Sequence, residues 1–265
     1  MSDVLLSADE ISIVFGGLRA VSSFSCELKV GELVGLIGPN GAGKTTVFNM
    51  LSGVYSPTEG TICFTDSRGK THNAHAMKPY QLSKAGIART FQNIRLFGSL
   101  TVEDNVLIAM HAQRQITPLD AIFRTPRFYR DEERTRARAQ ELLALFRIDS
   151  KKHELASNLP YGEQRKLEIA RALATNPRLL LLDEPAAGMN PQETQELMEL
   201  IAFIRKQFNL TILLIEHDMK LVMGICERLI VLDYGRTIAA GLPQEIKENP
   251  AVIKAYLGEE AMIDA

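Results

Sequence analysis

Apolar and polar positions alternate through Ile11-Ser12-Ile13-Val14-Phe15, the two-residue period of a half-buried strand. Leu33-Val34-Gly35-Leu36-Ile37 lacks polar positions altogether, as a strand covered on both faces does. Residues 4–37 therefore read as β-rich. A glycine-rich stretch at 38–43 follows and opens into a helix expected from Lys44 to Leu51. Pro57 and Gly60 punctuate a turn before a strand near Thr61 to Phe64. From about residue 98 to 155 the period lengthens, with Val102, Val106 and Ala109, then Leu142, Leu143, Leu145 and Phe146, recurring at helical spacing. Beyond that, strand-like runs at Leu179 to Leu182, Thr211 to Ile215 and Leu229 to Leu232 alternate with helical patterns at Glu163 to Ala174, Thr194 to Gln207 and Met219 to Glu227. This alternation predicts βαβ units and a largely parallel sheet. No internal repeat is visible. The pattern is that of an α/β core with a helical subdomain set into it, and the small, acidic segment from Gly258 to Ala265 is expected to fray.

Composition narrows the class without naming a chemistry. The 265 residues are 46% hydrophobic and 23% charged with a net charge of −2, enough apolar material for a sizeable core and too little net charge for a disordered chain. Thirty basic against 32 acidic residues leave no global footprint for nucleic acid. No apolar run approaches the roughly 20 residues of a bilayer-spanning helix. Met1-Ser2-Asp3-Val4 lacks the basic start and apolar core of a secretory signal. Cys26, Cys63 and Cys226 are odd in number and widely spaced, so they read as buried thiols of a reducing cytoplasm.

Local charge is less even. Residues 111–152 hold ten Lys/Arg against six Asp/Glu. Asp131, Glu132 and Glu133 interrupt the basic stretch Arg124 to Arg138, which favours a solvated helix over a nucleic-acid site, with contact to a membrane partner or anionic headgroups as its alternative role. His72 and His75 read as a solvated loop rather than a metal site, His111 and His153 as surface residues, and Met219 with Met223 as core.

The chemistry is concentrated in Gly38-Pro39-Asn40-Gly41-Ala42-Gly43-Lys44-Thr45, which fits GxxxxGK[ST] at every position, with Thr46 next in line. Glycines let the backbone curl until successive N–H groups face one phosphate chain. Lys44 adds a point charge for the β- and γ-phosphates, and the Thr45 hydroxyl is a magnesium ligand. An apolar strand before the loop and a helix after it complete the context of a nucleoside triphosphate site. The second half of such a site is a carboxylate at a buried strand end, and Leu179-Leu180-Leu181-Leu182-Asp183-Glu184 supplies two. Asp183 can hold magnesium through water, and Glu184 is placed to polarise an attacking water.

The guanine-reading Asn-Lys-x-Asp is missing, and the remaining motifs resemble the ATPase subunit of an ABC transporter in type and order. Phe15 lies where that family stacks an aromatic on adenine. Gln92, in Arg89-Thr90-Phe91-Gln92, matches the glutamine that touches magnesium and the water and borders the transmembrane coupling surface. Asn158-Leu159-Pro160-Tyr161-Gly162-Glu163-Gln164 resembles the signature loop that acts in trans, and His217 matches the switch histidine on the γ-phosphate. The resemblance implies an α/β P-loop NTPase of ABC ATPase type: a RecA-like core in 1–97 and 156–258 with a mixed, mainly parallel sheet and an N-terminal antiparallel β subdomain, a helical subdomain at 98–155, and a flexible tail at 259–265. ATP and Mg²⁺ are the implied cofactors.

Leu96-Phe97-x-x-Leu100-Thr101-Val102, Glu184-Pro185-Ala186-Ala187-Gly188-Met189-Asn190-Pro191, Glu216-His217-Asp218-Met219 and Val252-Ile253-x-Ala255-Tyr256-Leu257-Gly258 narrow the resemblance to ATPases of bacterial branched-chain amino acid importers. Of the two ATPase types in such systems it is similar to the one with the longer helical insertion, which here includes Ile116 to Tyr129. The implied function is ATP hydrolysis powering uptake of branched-chain or related amino acids, with a lipid-exporting ABC system as the alternative. The implied partners are a second ABC ATPase subunit, two transmembrane permease subunits and, through the complex, a periplasmic substrate-binding protein. The implied place is peripheral, on the cytoplasmic side of the inner membrane. Two positions depart from the family pattern. The usual LSGGQ reads Leu159-Pro160-Tyr161-Gly162-Glu163, where Pro160 has neither hydroxyl nor N–H and Tyr161 lacks glycine's freedom. Asn190 stands where an Asp is usual. Both departures suit a heterodimer in which the partner brings a complete signature.

Overall fold

The structure is a computed structural model and describes residues 4–111, 120 and 123–263. Strands β1 (Val4–Phe15) and β2 (Leu18–Lys29) form a long antiparallel hairpin, to which β4 (Glu59–Thr65) and β5 (Thr71–Asn73) add in the order β2-β1-β4-β5. The second sheet also contains β3 (Leu33–Ile37), β6 (Ile87–Arg89), β7 (Leu179–Asp183), β8 (Thr211–Ile215), β9 (Arg228–Asp233) and β10 (Arg236–Gly241), ordered β10-β9-β3-β8-β7-β6. All its neighbours pair in parallel except β10 with β9. Helices α1 (Lys44–Leu51), α2 (Pro79–Ala85), α3 (Val102–Met110), α4 (Pro126–Leu145), α5 (Tyr161–Leu173), α6 (Pro191–Phe208), α7 (Met219–Ile225), α8 (Pro243–Lys247) and α9 (Pro250–Ile263) complete the described elements.

The central strands are apolar between their ends because each feeds two cores. Leu33, Leu180, Leu182, Ile212, Leu214 and Val231 pack with the helices on one face. Their neighbours Val34, Leu36, Leu181, Leu213, Ile215 and Ile230 face α1 and the antiparallel sheet on the other. Side chains of a strand alternate between faces, so sandwiching the sheet confines polar residues to the strand ends. At about 25 cal/mol per Å² of apolar area, each such leucine or isoleucine contributes roughly 1.5–3 kcal/mol.

The ends of the helical insertion are stitched together. Thr101 and Leu155 form an isolated antiparallel bridge, Val102 N–H donates to Glu154 O and Ala156 N–H to Leu100 O, both at 2.9 Å. Of the expected extra insertion, residues 112–119 and 121–122 lie outside the described residues. The basic stretch falls in α4, whose exposed face carries the pairs Arg134–Asp131 and Arg138–Glu141, each 3.0 Å.

Two expectations are corrected. His72 lies in β5 and pairs with Asp66 at 2.8 Å, while His75 accepts from Ile62 N–H at 3.2 Å, so both histidines are tied into the small sheet. Cys63 is only half-buried, unlike Cys26 and Cys226.

Candidate nucleotide site

The four parallel strands β3, β8, β7 and β6 all deliver functional side chains at their C-terminal ends, so segments far apart in sequence meet along one edge of the sheet, the usual ligand edge of a parallel α/β sheet. Residues 38–43 leave β3 and α1 begins at Lys44. Glycine is required twice in that turn. A Cβ on Gly38, whose φ is +147°, would lie 2.0 Å from Leu232 O. One on Gly43, at +101°, would lie 3.0 Å from Ala20 O. The loop is thus wedged between β9 and the β1–β2 hairpin. Lys44 is buried at 8% exposure. Its ammonium donates to Gly38 O at 2.6 Å and Pro39 O at 2.8 Å, bracing the turn from within.

The carboxylates sit at the end of β7. Burial pushes the Asp183 carboxyl up from the usual carboxylate range, and the hydrogen bond and charge of Arg89 oppose that shift. Glu184 follows in a left-handed conformation (φ +46°), an uncommon one for a non-glycine residue and typical of sites that aim a side chain. Its carboxylate accepts from Gln92 Nε2 at 2.9 Å. The oxygen-only donor set of Thr45 and Asp183 fits magnesium shared with phosphates. Among the described residues no group of three or more His, Cys, Asp or Glu forms a self-sufficient metal site.

Phe15 is exposed at the hairpin end, and its ring meets that of Tyr55 at 69° with centroids 5.2 Å apart. His217, after β8, is 64% exposed at its side chain, and its Nδ1 lies 3.8 Å from Glu216 Oε2. The structure does not bring His217 against Glu184 or Gln92 by any described hydrogen bond. Segment 159–163 is engaged elsewhere. Glu163 pairs with Lys151 at 2.7 Å, Gly162 lies against Glu193, and the Tyr161 ring lies against Gly188. Helix α5 starts at Tyr161, two residues before the start its sequence pattern suggests, with Pro160 as its N-cap and no side-chain cap bond. The Asn190 departure has a local explanation. Its side chain caps α6 by accepting from Glu193 N–H at 2.9 Å, a task Asn and Asp perform about equally.

Sequence reasoning missed the residues that hold these groups in place. Arg165 is buried at 1% exposure and donates to the backbone carbonyls of Phe91 (2.7 Å) and Gln92, to Glu168 (3.1 Å) and to the Tyr161 hydroxyl (3.1 Å). Glu168 accepts in turn from Phe91 N–H at 3.4 Å and Arg95 N–H at 3.3 Å. Burial raises the Glu168 pKa, and the Arg95 N–H and Arg165 oppose it. The loop that carries Gln92 is therefore clamped by the helix that follows Pro160. Glu216, also 1% exposed, accepts from Ala186 N–H at 3.0 Å and fixes the turn after Glu184.

A phosphate loop, a buried aspartate with a hydrogen-bonded glutamate beside it, and a clamped glutamine on a neighbouring strand end together define a P-loop nucleotide-hydrolysing cassette. The chain belongs to the ABC transporter family, whose model matches residues 21–187; a model described as branched-chain amino acid ATP-binding cassette transporter matches residues 236–262. It is 49% identical over 259 residues (98% of this chain, 100% of the relative) to the high-affinity branched-chain amino acid transport ATP-binding protein LivG of Salmonella typhimurium. It is 33% identical to the lipopolysaccharide export system ATP-binding protein LptB of Escherichia coli, across 96% of this chain and 98% of that one. Among solved structures, the ADP conformation of MJ1267, an ATP-binding cassette of an ABC transporter, superposes with a TM-score of 0.81 at 28% identity, covering 97% of this chain and 100% of that one. The chain is thus an ABC-type ATPase. Among the described residues no helix is long and apolar enough to cross a membrane.

Proposed function

We propose that this chain is the ATP-hydrolysing subunit of an ABC importer, powering uptake of branched-chain or related amino acids through permease partners from the cytoplasmic face of the inner membrane. The observation that carries the hydrolytic part is the 2.9 Å bond between Gln92 and Glu184 beside the phosphate loop. The amino acid class rests on the 49% identity to the LivG relative, against 33% for the lipid-export relative. We take the core as 1–97 and 156–258, with 98–155 as the helical subdomain closed by the Thr101–Leu155 bridge.

In this reading the N–H groups of Gly38 to Thr46 and the Lys44 ammonium bind the phosphates, and the exposed Phe15 stacks on adenine. Thr45, Asp183 (through water) and Gln92 would hold Mg²⁺, which when bound would supply positive charge to the phosphate oxygens. Glu184 takes the proton of the attacking water while Gln92 fixes the orientation of its carboxylate. His217, whose side chain is 64% exposed, reaches the γ-phosphate when the subunits close. A groove of about 730 Å³ beside the glutamine loop, lined by Phe91, Arg95, Leu96, Phe97, Ile108 and Arg171, receives the permease. The test is leucine, isoleucine and valine uptake by cells deleted for this gene and complemented with wild type or Glu184→Gln. Restoration by the wild type alone is expected; uptake that survives the deletion overturns the substrate assignment.

The second ATPase subunit is a different chain, because segment 159–163 departs from the usual signature at the γ-phosphate of the opposing site. Each charge-assisted hydrogen bond lost there costs about 1.5–3 kcal/mol. Pro160→Ser adds a hydroxyl and an N–H to that surface and also caps α5, a local stabilisation of about 0.5–2 kcal/mol. It is expected to speed single-turnover hydrolysis at the site facing this signature, measured in a complex carrying Glu184→Gln to silence the other. An unchanged rate, together with equal losses from the two single-site glutamine variants, would sink the asymmetry.

A further inference from the structure

Strand β6 ends on Arg89, a residue whose role neither the nucleotide loop nor the hydrolytic pair explains. Its Nη2 donates to Asp183 Oδ2 at 2.9 Å, and its Nη1 donates to Asn49 Oδ1 at 2.7 Å and Ser52 Oγ at 2.9 Å. The Arg89 and Asp183 side chains are 7% and 4% exposed. The guanidinium carbon lies 5.6 Å from the centre of the Phe48 ring and 4.9 Å from that of Phe91. Arg89 therefore ties together three pieces of the site: α1, which opens with Lys44 and Thr45, the end of β7, and the segment leading to Gln92.

We propose that Arg89 is the positioning residue for the magnesium-holding carboxylate, fixing Asp183 so that one oxygen is anchored and the other serves the metal's water. The proposal rests on the reading of Asp183 as that carboxylate. A guanidinium held by two further acceptors and two rings cannot follow the carboxylate if it turns, and it engages Oδ2 alone. Residues that orient metal ligands in this way typically govern metal affinity by 10- to 100-fold. The contrary effect has the opposite sign: a fixed cation beside Asp183 repels a second cation, so if charge alone mattered, removing Arg89 would strengthen the metal site.

The experiment measures ATP affinity of the full chain by fluorescent-nucleotide displacement, in EDTA and in Mg²⁺, and reads the affinity gained on adding metal. Arg89→Met is expected to bind ATP in EDTA as the wild type does and to lose roughly 10- to 100-fold of the Mg²⁺ gain. Asp183→Asn should lose that gain too, and the double variant should lose no more than Asp183→Asn alone, since Arg89 acts through that side chain. Arg89→Lys keeps the charge but not the planar fork. If Arg89→Met does not fold, a loss of the Mg²⁺ gain in Arg89→Lys carries the test. A gain that is unchanged or increased in these variants, or a double variant whose losses add, overturns the positioning role. If Asp183→Asn itself keeps the full gain, it is the magnesium reading of Asp183 that fails.

Discussion

Glu184→Gln is expected to reduce ATP turnover of the assembled transporter by about 10²- to 10⁴-fold, the usual contribution of a positioned general base, while ATP affinity stays near wild type. The separation follows from the geometry. The substitution is nearly isosteric, glutamine tolerates the left-handed backbone at 184 no worse than glutamate, and Glu184 N–H still donates to Ile215 O at 3.0 Å. What disappears is the negative charge that polarises water, while an amide oxygen at 184 can still accept from Gln92 Nε2. With binding intact and hydrolysis blocked, the ATP-bound subunits should accumulate as a closed dimer, visible by size-exclusion chromatography with MgATP. A complex carrying Glu184→Gln that hydrolyses ATP at the wild-type rate would show that the proton goes elsewhere.

The reach of sequence reasoning here tracks the span of each interaction. The phosphate loop is contiguous, and every feature that makes it a loop can be read from the one stretch 33–51: the strand before it, the glycines at the tight approaches and the helix after it. The two-faced burial of β3, β7 and β8 was legible for the same reason, since a run without polar positions has few other places to go. Arg89, Arg165, Glu168 and Glu216 were not legible. Each also bonds a distant segment, at Asp183, at Phe91 and Gln92, or at Ala186, and no local period marks a buried charge whose hydrogen-bond partners arrive from far along the chain. Gln92 and Glu184 came together in the sequence only through a family resemblance, and their contact is what the parallel order β8-β7-β6 adds. The short strands β5 and β6 were missed because three residues carry no usable period. Tyr161 illustrates the converse. Read alone it is a departure from glycine, whereas in the fold its hydroxyl serves the buried Arg165.

Lys44→Ala should act one step earlier than Glu184→Gln, on binding itself. The wild-type ammonium is buried and makes two short bonds to Gly38 O and Pro39 O, so its removal has two consequences. The β- and γ-phosphates lose a charge-assisted contact worth about 1.5–3 kcal/mol, or roughly 10- to 150-fold in affinity. The carbonyls of Gly38 and Pro39 also lose their inner partner, which loosens the very turn whose N–H groups hold the phosphates. The second effect is separable from the first by thermal unfolding of the nucleotide-free chain, where a lowered midpoint reports the loop and not the ligand. The core that supports the loop, β3 against β8 and β9, does not depend on Lys44, so the chain should remain folded. ATP affinity and uptake are then expected to fall together, whereas Glu184→Gln lowers uptake alone. A Lys44→Ala protein that binds ATP as tightly as the wild type would remove Lys44 from the phosphate site and leave it as an internal brace of the loop.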